Sequence, residues 1–367
     1  MNNKGENMTN LRKVGLTALA GSLAAVSAQA GELAVSGSAS VTYVTGETAN
    51  SAQTIGQASG FTLSGSGDLD NGWSVSHDIY FGSQGAYSSS ATVISMGSMG
   101  SLGFGSATSI NGAYDEAYPR AYEEATDGDT SGSASMDAMG AFADDNGIVY
   151  KAPALDIGGA SVALGVEYSA NPTGNVTAGT GAARSDASGD ALGVGVTIST
   201  DMGLTLGAYG ATMEDNTAES TAVNTDSRQD RFDGTWFATY NMGPVSIGYQ
   251  TSYVDAAAET DATATTLAKT VGTSGGIFEG EVMSIAFNVN DDLSVSYTDM
   301  EDTYDNQSDN GTSAQDADVT MSIESLQVAY SMGSMSIKAY QTETTNPNYD
   351  SNADSRTVTE IALGLAF

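Results

Sequence analysis

The sequence predicts an all-β protein, a transmembrane antiparallel up-and-down β-barrel of about sixteen strands. Three observations lead there. Short segments alternate large apolar residues with small or polar ones, the connections between them are by turns tiny and long, and such a segment carries Phe367 as its last residue. A strand points successive side chains to opposite faces, so alternation gives each segment one greasy face and one small or polar face. Alternating short and long connections then describe a meander with a tight-turn end and a long-loop end.

The elements follow in chain order. Lys4, Arg12 and Lys13 give a basic start, residues 14–26 are apolar or small, and Ala28-Gln29-Ala30 is an A-x-A cleavage pattern. Residues 1–30 are therefore expected to be a cleaved secretory signal, cut between Ala30 and Gly31, with translation starting at Met1 or Met8. Residues 31–367 read as one barrel domain, because turn signals recur evenly without a linker. Strand runs are expected at 33–44, 58–67, 73–81, 91–96, 101–107, 147–153, 160–169, 189–199, 204–212, 231–240, 245–255, 276–289, 293–300, 320–331, 335–343 and 357–367. Short connections at 68–72, 96–100, 155–159, 200–203, 241–244, 290–292 and 332–334 carry Asn, Asp and Gly, which accept the left-handed backbone of tight hairpins. Long polar connections are expected at 45–57, 82–90, 108–146, 170–188, 213–230, 256–275, 301–320 and 344–356. An even strand count places both ends of the barrel domain at the tight-turn end.

Composition narrows the function. The chain holds 11 Lys and Arg, 45 Asp and Glu, one His and no Cys. Removing the signal subtracts three basic side chains and one acidic, leaving 8 against 44, a formal charge of −36. A chain this acidic repels nucleic acid. Without cysteine it has neither disulfides nor thiolate metal sites. His77 is the one histidine, so a histidine-based triad could use only that residue and a transition-metal cluster has almost no ligands; no nucleophile–base pair stands out, so no enzyme activity is expected. No cofactor is expected either, beyond Ca²⁺ held loosely by acidic loop pairs such as Glu123-Glu124, Asp144-Asp145 and Asp291-Asp292. After the signal no run approaches the roughly 20 apolar residues of a membrane helix, so a membrane would be crossed by strands.

Strand phase assigns the faces. Asp78, Glu167, Glu324 and Glu360 fall in the polar phase of their strands and are expected to line the lumen, together with Lys338 and, at the loop ends of their strands, Arg231 and Arg356. Lys151 is ambiguous in phase. Tyr43, Phe61, Trp73, Phe81, Tyr168, Trp236, Tyr240, Tyr249, Tyr253, Tyr297, Tyr330 and Phe367 cluster near strand ends, as aromatic girdles at two membrane interfaces would. His77 shares the outward phase of Val75, Ile79 and Phe81, which suggests a contact between subunits.

The signal followed by Gly31-Glu-Leu-Ala-Val-Ser-Gly, the sixteen-run meander, the long third connection and the terminal Gly-Leu-Ala-Phe367 together resemble the Gram-negative general porins, most closely those of alphaproteobacterial type. The resemblance implies export through the Sec pathway to the outer membrane, short periplasmic turns and long external loops. It also implies a homotrimer in contact with outer-membrane lipid and lipopolysaccharide, and a water-filled pore for passive diffusion of small hydrophilic solutes, narrowed by an inward-folding third loop. Phe367 looks like the signal read by the outer-membrane assembly machinery. The third long connection is 108–146, the one dense in Tyr and carboxylates. Tyr114, Tyr118 and Tyr122 recur every fourth residue, which predicts a short helical turn packed on the wall, leaving Asp115, Glu116, Glu123 and Glu124 to face the pore. The scarcity of cations departs from an acidic loop set against an arginine cluster and favours plain cation preference. The alternative from another class is an acidic secreted surface-layer or adhesin-type protein, which would share the composition but not the strict alternation of turns.

Overall fold

The computed structural model of the chain describes residues 32–46, 53–105, 108–128, 132–137, 139–140, 147–170, 188–215, 230–255, 276–305 and 318–367. The expected signal, with Ala30 and Gly31, and the pair Asp144 and Asp145 lie outside these residues. The described strands form one sheet. They are β1 (Glu32–Gly46), β2 (Thr54–Asp68), β3 (Ser74–Phe81), β4 (Tyr87–Ser95), β5 (Ser101–Phe104), β6 (Gly147–Lys151), β7 (Leu155–Ile157), β8 (Ala160–Ser169), β9 (Ser188–Thr200), β10 (Leu204–Asp215), β11 (Arg231–Met242), β12 (Val245–Asp255), β13 (Ile277–Asn288), β14 (Leu293–Asp305), β15 (Val319–Met332), β16 (Met335–Thr345) and β17 (Arg356–Ala366).

Neighbouring strands pair antiparallel, and β1 pairs with both β2 and β17, so the sheet closes on itself. Closure matters in lipid because an open edge would strand unpaired backbone groups where no water can reach them. β6 and β7 both pair with β8, Lys151 opposite Gly165 and Leu155 opposite Val162. They form one stave interrupted at Pro153, which cannot donate to a ladder. The barrel therefore has sixteen staves, as the sequence predicts. At the seam, the Phe367 amide donates to the Gly37 carbonyl at 2.9 Å and the Gly37 amide donates back at 2.8 Å. Met242 faces Val245 and Met332 faces Met335, leaving Gly243-Pro244 and Gly333-Ser334 as two-residue loops. Gly243 and Gly333 have φ of 65° and 62°, the left-handed backbone such loops demand.

Residues in register share a face. Val41, Leu164, Val194, Leu206, Ile247, Ile285, Leu326 and Leu363 are exposed on the outside, as the apolar belt of a membrane barrel must be. Tyr43, Phe61, Tyr168, Trp236, Tyr240, Tyr297, Tyr330 and Phe367 are exposed with them, consistent with the girdles.

Several boundaries differ from expectation, and β2 for one begins at Thr54 where 58 is expected. The connection at 82–90 shrinks to 82–86, because β4 already begins at Tyr87 and a 3₁₀ turn at Ser83–Gly85 closes the reversal. β14 continues to Asp305 beyond its expected end at 300, since Asp302 and Tyr304 are fully buried beneath an inner loop and the ladder has a reason to persist. β5 keeps only four residues.

Candidate functional site: the inner loop and the face it leaves open

The connection after β5 folds into the barrel and runs along the inner wall, touching the staves nearly in succession. Ile110 packs over Gly165 of β8. The Tyr114 ring lies 5.3 Å from Tyr209 of β10 and 6.2 Å from Phe237 of β11. On β12, Gln250 accepts from the Ala117 amide at 2.6 Å and donates to the Tyr114 carbonyl at 2.7 Å. Ser284 of β13 donates to the Pro119 carbonyl, and Ser296 of β14 accepts from the Ala121 amide at 2.9 Å. On β15, Gln327 accepts from the Tyr122 amide at 2.9 Å and donates to the Glu123 carbonyl at 2.7 Å. The Lys338 ammonium of β16 sits 4.8 Å over the Tyr122 ring, and the Tyr122 hydroxyl donates to Glu360 of β17 at 2.8 Å. Small wall residues make room for this path: a side chain on Gly195 would collide with the Tyr114 ring, and one on Gly248 with Pro119.

The expected helical turn is absent. The described loop carries only 3₁₀ turns at Asn111–Ala113 and Thr126–Gly128. Each loop residue answers to a different strand of a curved wall, and a continuous helix would withdraw the backbone amides of Ala117, Ala121 and Tyr122 from those partners. Wall packing of the tyrosines does hold: Tyr114 and Tyr118 are buried and Tyr122 half-buried.

Several acids of this region are anchors. Glu167 is fully buried and accepts from the Ser109 hydroxyl, the Ile110 amide and the Tyr209 hydroxyl, at 2.8, 2.8 and 2.5 Å. Asp233, also fully buried, accepts from the Gly140 amide at 2.8 Å and pairs with Arg231 at 2.9 Å. Asp302 accepts from the Ser133 hydroxyl, the Ser135 amide and the Tyr349 hydroxyl at 2.6, 3.0 and 2.6 Å. Within the loop, Glu116 is fully buried, accepts from the hydroxyls of Tyr118 and Thr126, and holds a left-handed backbone with φ of 36°. This corrects the expectation that Glu116 faces the pore: the compact loop needs an internal acceptor, and Glu116 is it. Glu167 has the expected lumen phase but lies under the loop.

Other acids stay accessible. Glu123, Glu124 and Glu360 are partly exposed and Asp127 is exposed. Two cations stand near them, Arg120, bridged to Glu124, and Lys338. Asp115 is only partly exposed, and burial followed by the charges of Glu124 and Asp137 pushes its carboxyl up to about 8. Burial likewise raises Asp137 to about 6, and raises Glu116 and Glu123 above the ordinary carboxylate range. Across the interior the lumen faces of β1–β4 present Ser36, Ser38, Ser40, Thr62, Ser64, Ser76 and Asp78, and residues 32–95 contain no Lys or Arg.

Asp78, Glu360, Lys338, Arg231 and Arg356 lie on the inward face of their strands; Arg231 is consumed by Asp233. Lys151 shares the inward face of Val149. Glu324 is a correction. It is in register with Asp299 and Glu343 on the face of Leu326 and Val328, outside the barrel, because alternation reports two faces without saying which is the lumen. Sequence reasoning also missed Gln250 and Gln327, although each alternates against an outward aromatic or aliphatic neighbour, Tyr249 and Leu326, in a chain with few glutamines. Among the described residues, no three His, Asp or Glu side chains converge to hold a metal ion.

Comparison with known proteins agrees with this architecture. The family description Gram-negative porin matches residues 15–366. Among solved structures, OmpF of Salmonella typhi in complex with daunomycin has a TM-score of 0.65 at 11% identity, covering 94% of this chain and 100% of its own. The outer-membrane channel DcaP of Acinetobacter baumannii gives 0.60 at 11%, covering 94% and 100%. A trimer form of OmpT from Vibrio cholerae gives 0.53 at 13%, covering 92% and 100%. No curated protein sequence matches the chain.

Proposed function

Because the chain belongs to the Gram-negative porin family, we propose that this outer-membrane channel conducts small hydrophilic solutes passively and prefers cations. One observation carries the preference: the exposed edge of the inner loop presents Glu123, Glu124 and Asp127 toward a hydroxyl-lined wall that has Asp78 and no cation. Charges in a narrow aqueous passage with low-dielectric walls act on permeating ions more strongly than charges at the rims. Arg120 and Lys338 offset part of this field but leave the acids in excess, so cations concentrate and anions are repelled. Purified protein in a planar bilayer under a KCl gradient should show a reversal potential of the sign set by K⁺. Reversal toward Cl⁻ would overturn the electrostatic reading while leaving the barrel intact.

The same reading includes a homotrimer. A membrane strand needs about 9–11 residues, whereas β5 has four, and the stave that β6 and β7 form beside it is broken at Pro153. That sector cannot cover the hydrocarbon layer by itself, and its outward face carries His77, whose ring hydrogen-bonds Thr92 at 2.8 Å. A neighbouring copy would shield both. Sedimentation of the detergent-solubilised protein should give a trimer mass, and a purely monomeric species would remove this part. Export through the Sec pathway with cleavage after Ala30 belongs to the proposal as well, and the mass of the outer-membrane protein tests it. No cofactor enters the mechanism.

A further inference from the structure

The far tip of the inner loop meets β16 and β17 in a corner of the passage, and the side chains gathered there hold an ammonium group. Lys338 Nζ sits 4.8 Å over the Tyr122 ring. The Tyr122 hydroxyl donates to Glu360 at 2.8 Å, and the Tyr340 ring backs Tyr122 at 6.0 Å between centroids. Glu123 closes the loop side: burial and then the charge of Asp127 raise its carboxyl, while the Tyr122 hydroxyl and the Lys338 ammonium pull it back. The 3₁₀ turn Thr126–Gly128, which bears Asp127, lies against the same two strands. On the other side β1 offers only Thr42 and Val44, in register with Ala362 and Glu360, so the corner opens to the passage.

The carboxylates of Glu123, Asp127 and Glu360 therefore gather around one ammonium. Arg120 is placed differently, since its guanidinium lies 5.6 Å over Tyr118 and is matched one to one by Glu124. A primary ammonium is attracted by a ring face and donates to carboxylates. Lys338 already uses the ring and shares the charge of Glu123, so the protein's own side chain shows which chemistry the corner accepts. Its stem is flexible enough to swing aside, and the carboxylates it leaves unneutralised attract a second cation. An anionic solute would meet carboxylates instead. A divalent ion needs a tight oxygen cage, and among the described residues no three acids converge to form one.

We propose that this corner is a transport subsite for solutes bearing a primary ammonium: Lys338 is its resident occupant, and a passing solute takes the place on Tyr122 while Lys338 swings into the passage. Exchange keeps both ammonium groups beside carboxylates, so neither is stranded. The solute's ammonium is then held by the Tyr122 face, Glu123 and Glu360. The inference deepens the channel function proposed above and rests on it for a passage open to water.

The probes are n-butylammonium and tetramethylammonium, isomers of equal charge of which only the first can donate hydrogen bonds to carboxylates. Added to single channels in KCl, n-butylammonium should halve the K⁺ current at about 3- to 10-fold lower concentration than tetramethylammonium, the gain of one charge-assisted contact. Lys338→Met vacates the Tyr122 face and should widen that ratio about 3-fold further. Arg120→Met removes the same charge from the loop edge and should leave the ratio where it is. Glu360→Gln should bring the ratio close to unity, and Glu123→Gln, which leaves the strand ladder untouched, should lower it in the same direction. Equal block by the two isomers, or the same ratio in Lys338→Met and Arg120→Met, would overturn the proposal. The KCl reversal potential of the same channels keeps the two readings apart: cation preference with equal block removes the subsite alone, and Cl⁻ preference with an intact isomer ratio removes the general cation preference alone. Heat-modifiable migration of every variant establishes that the barrel has folded.

Discussion

At the residue scale, the same side-chain type does opposite jobs according to its neighbours. Glu167, Asp233 and Asp302 are acids of the inner face, yet Glu167 and Asp302 are held by hydroxyl and amide donors and Asp233 by the Gly140 amide and Arg231, so all three contribute anchoring in place of pore charge. Glu123 and Glu124 keep water on one side. Glu123→Gln/Glu124→Gln should therefore move the KCl reversal potential markedly toward zero, whereas Glu324→Gln, on the outer face, should leave it unchanged; bilayer recording of both variants checks this. Asp115 and Asp137 give a pH prediction. Their carboxyls, pushed up to about 8 and about 6 in the folded loop, remain neutral at pH values where a free carboxylate near 3.8 is ionised. Docking stability from these groups is fully present below about pH 4 and is lost as pH rises through 6 and then 8. Limited proteolysis of the loop, rate-corrected for the protease, should be faster at pH 8 than at pH 5, and Asp115→Asn/Asp137→Asn should flatten that dependence.

At the element scale, the inner loop owes its shape to the wall. Gln250 and Gln327 each spend both ends of an amide on loop backbone, so replacing one by Leu loses two bonds and leaves two partly buried loop groups unpaired, about 1 kcal/mol per group against the docked state. Gln250→Leu/Gln327→Leu should raise single-channel noise and loop proteolysis without altering heat-modifiable migration, since the strand ladder is untouched. Deleting most of 120–140 should raise conductance for the same reason, because loops add little to the ladder's stability. An unchanged conductance would mean that the loop does not narrow the passage. The tyrosine spacing was legible as a wall-packing signal but not as a conformation: a period of four suits both a helix and a chain that meets a new stave every few residues, and only the curvature of the wall separates them.

At the scale of the whole molecule, closure joins β1 to β17 through Gly37 and Phe367, whose ring lies over Gly37 on the outer face. Phe367→Ala leaves the backbone pairs available, so the purified chain should still fold in detergent, while the fraction assembled into the outer membrane in cells should fall several-fold if Phe367 is read by the assembly machinery; fractionation against an in vitro refolding control measures the difference. By itself the sequence determined the number of staves, their order, the tight-turn positions and the existence of two faces, because period-two alternation and Gly-Pro or Asn-Asp turns are local properties that each segment carries alone. Tertiary structure decided which face of β15 is the lumen, that Glu116 is an internal acceptor, and that three wall acids hold the loop. Those outcomes depend on what lies across a register or across the interior, tens to hundreds of residues away in the chain, and no local pattern encodes the partner.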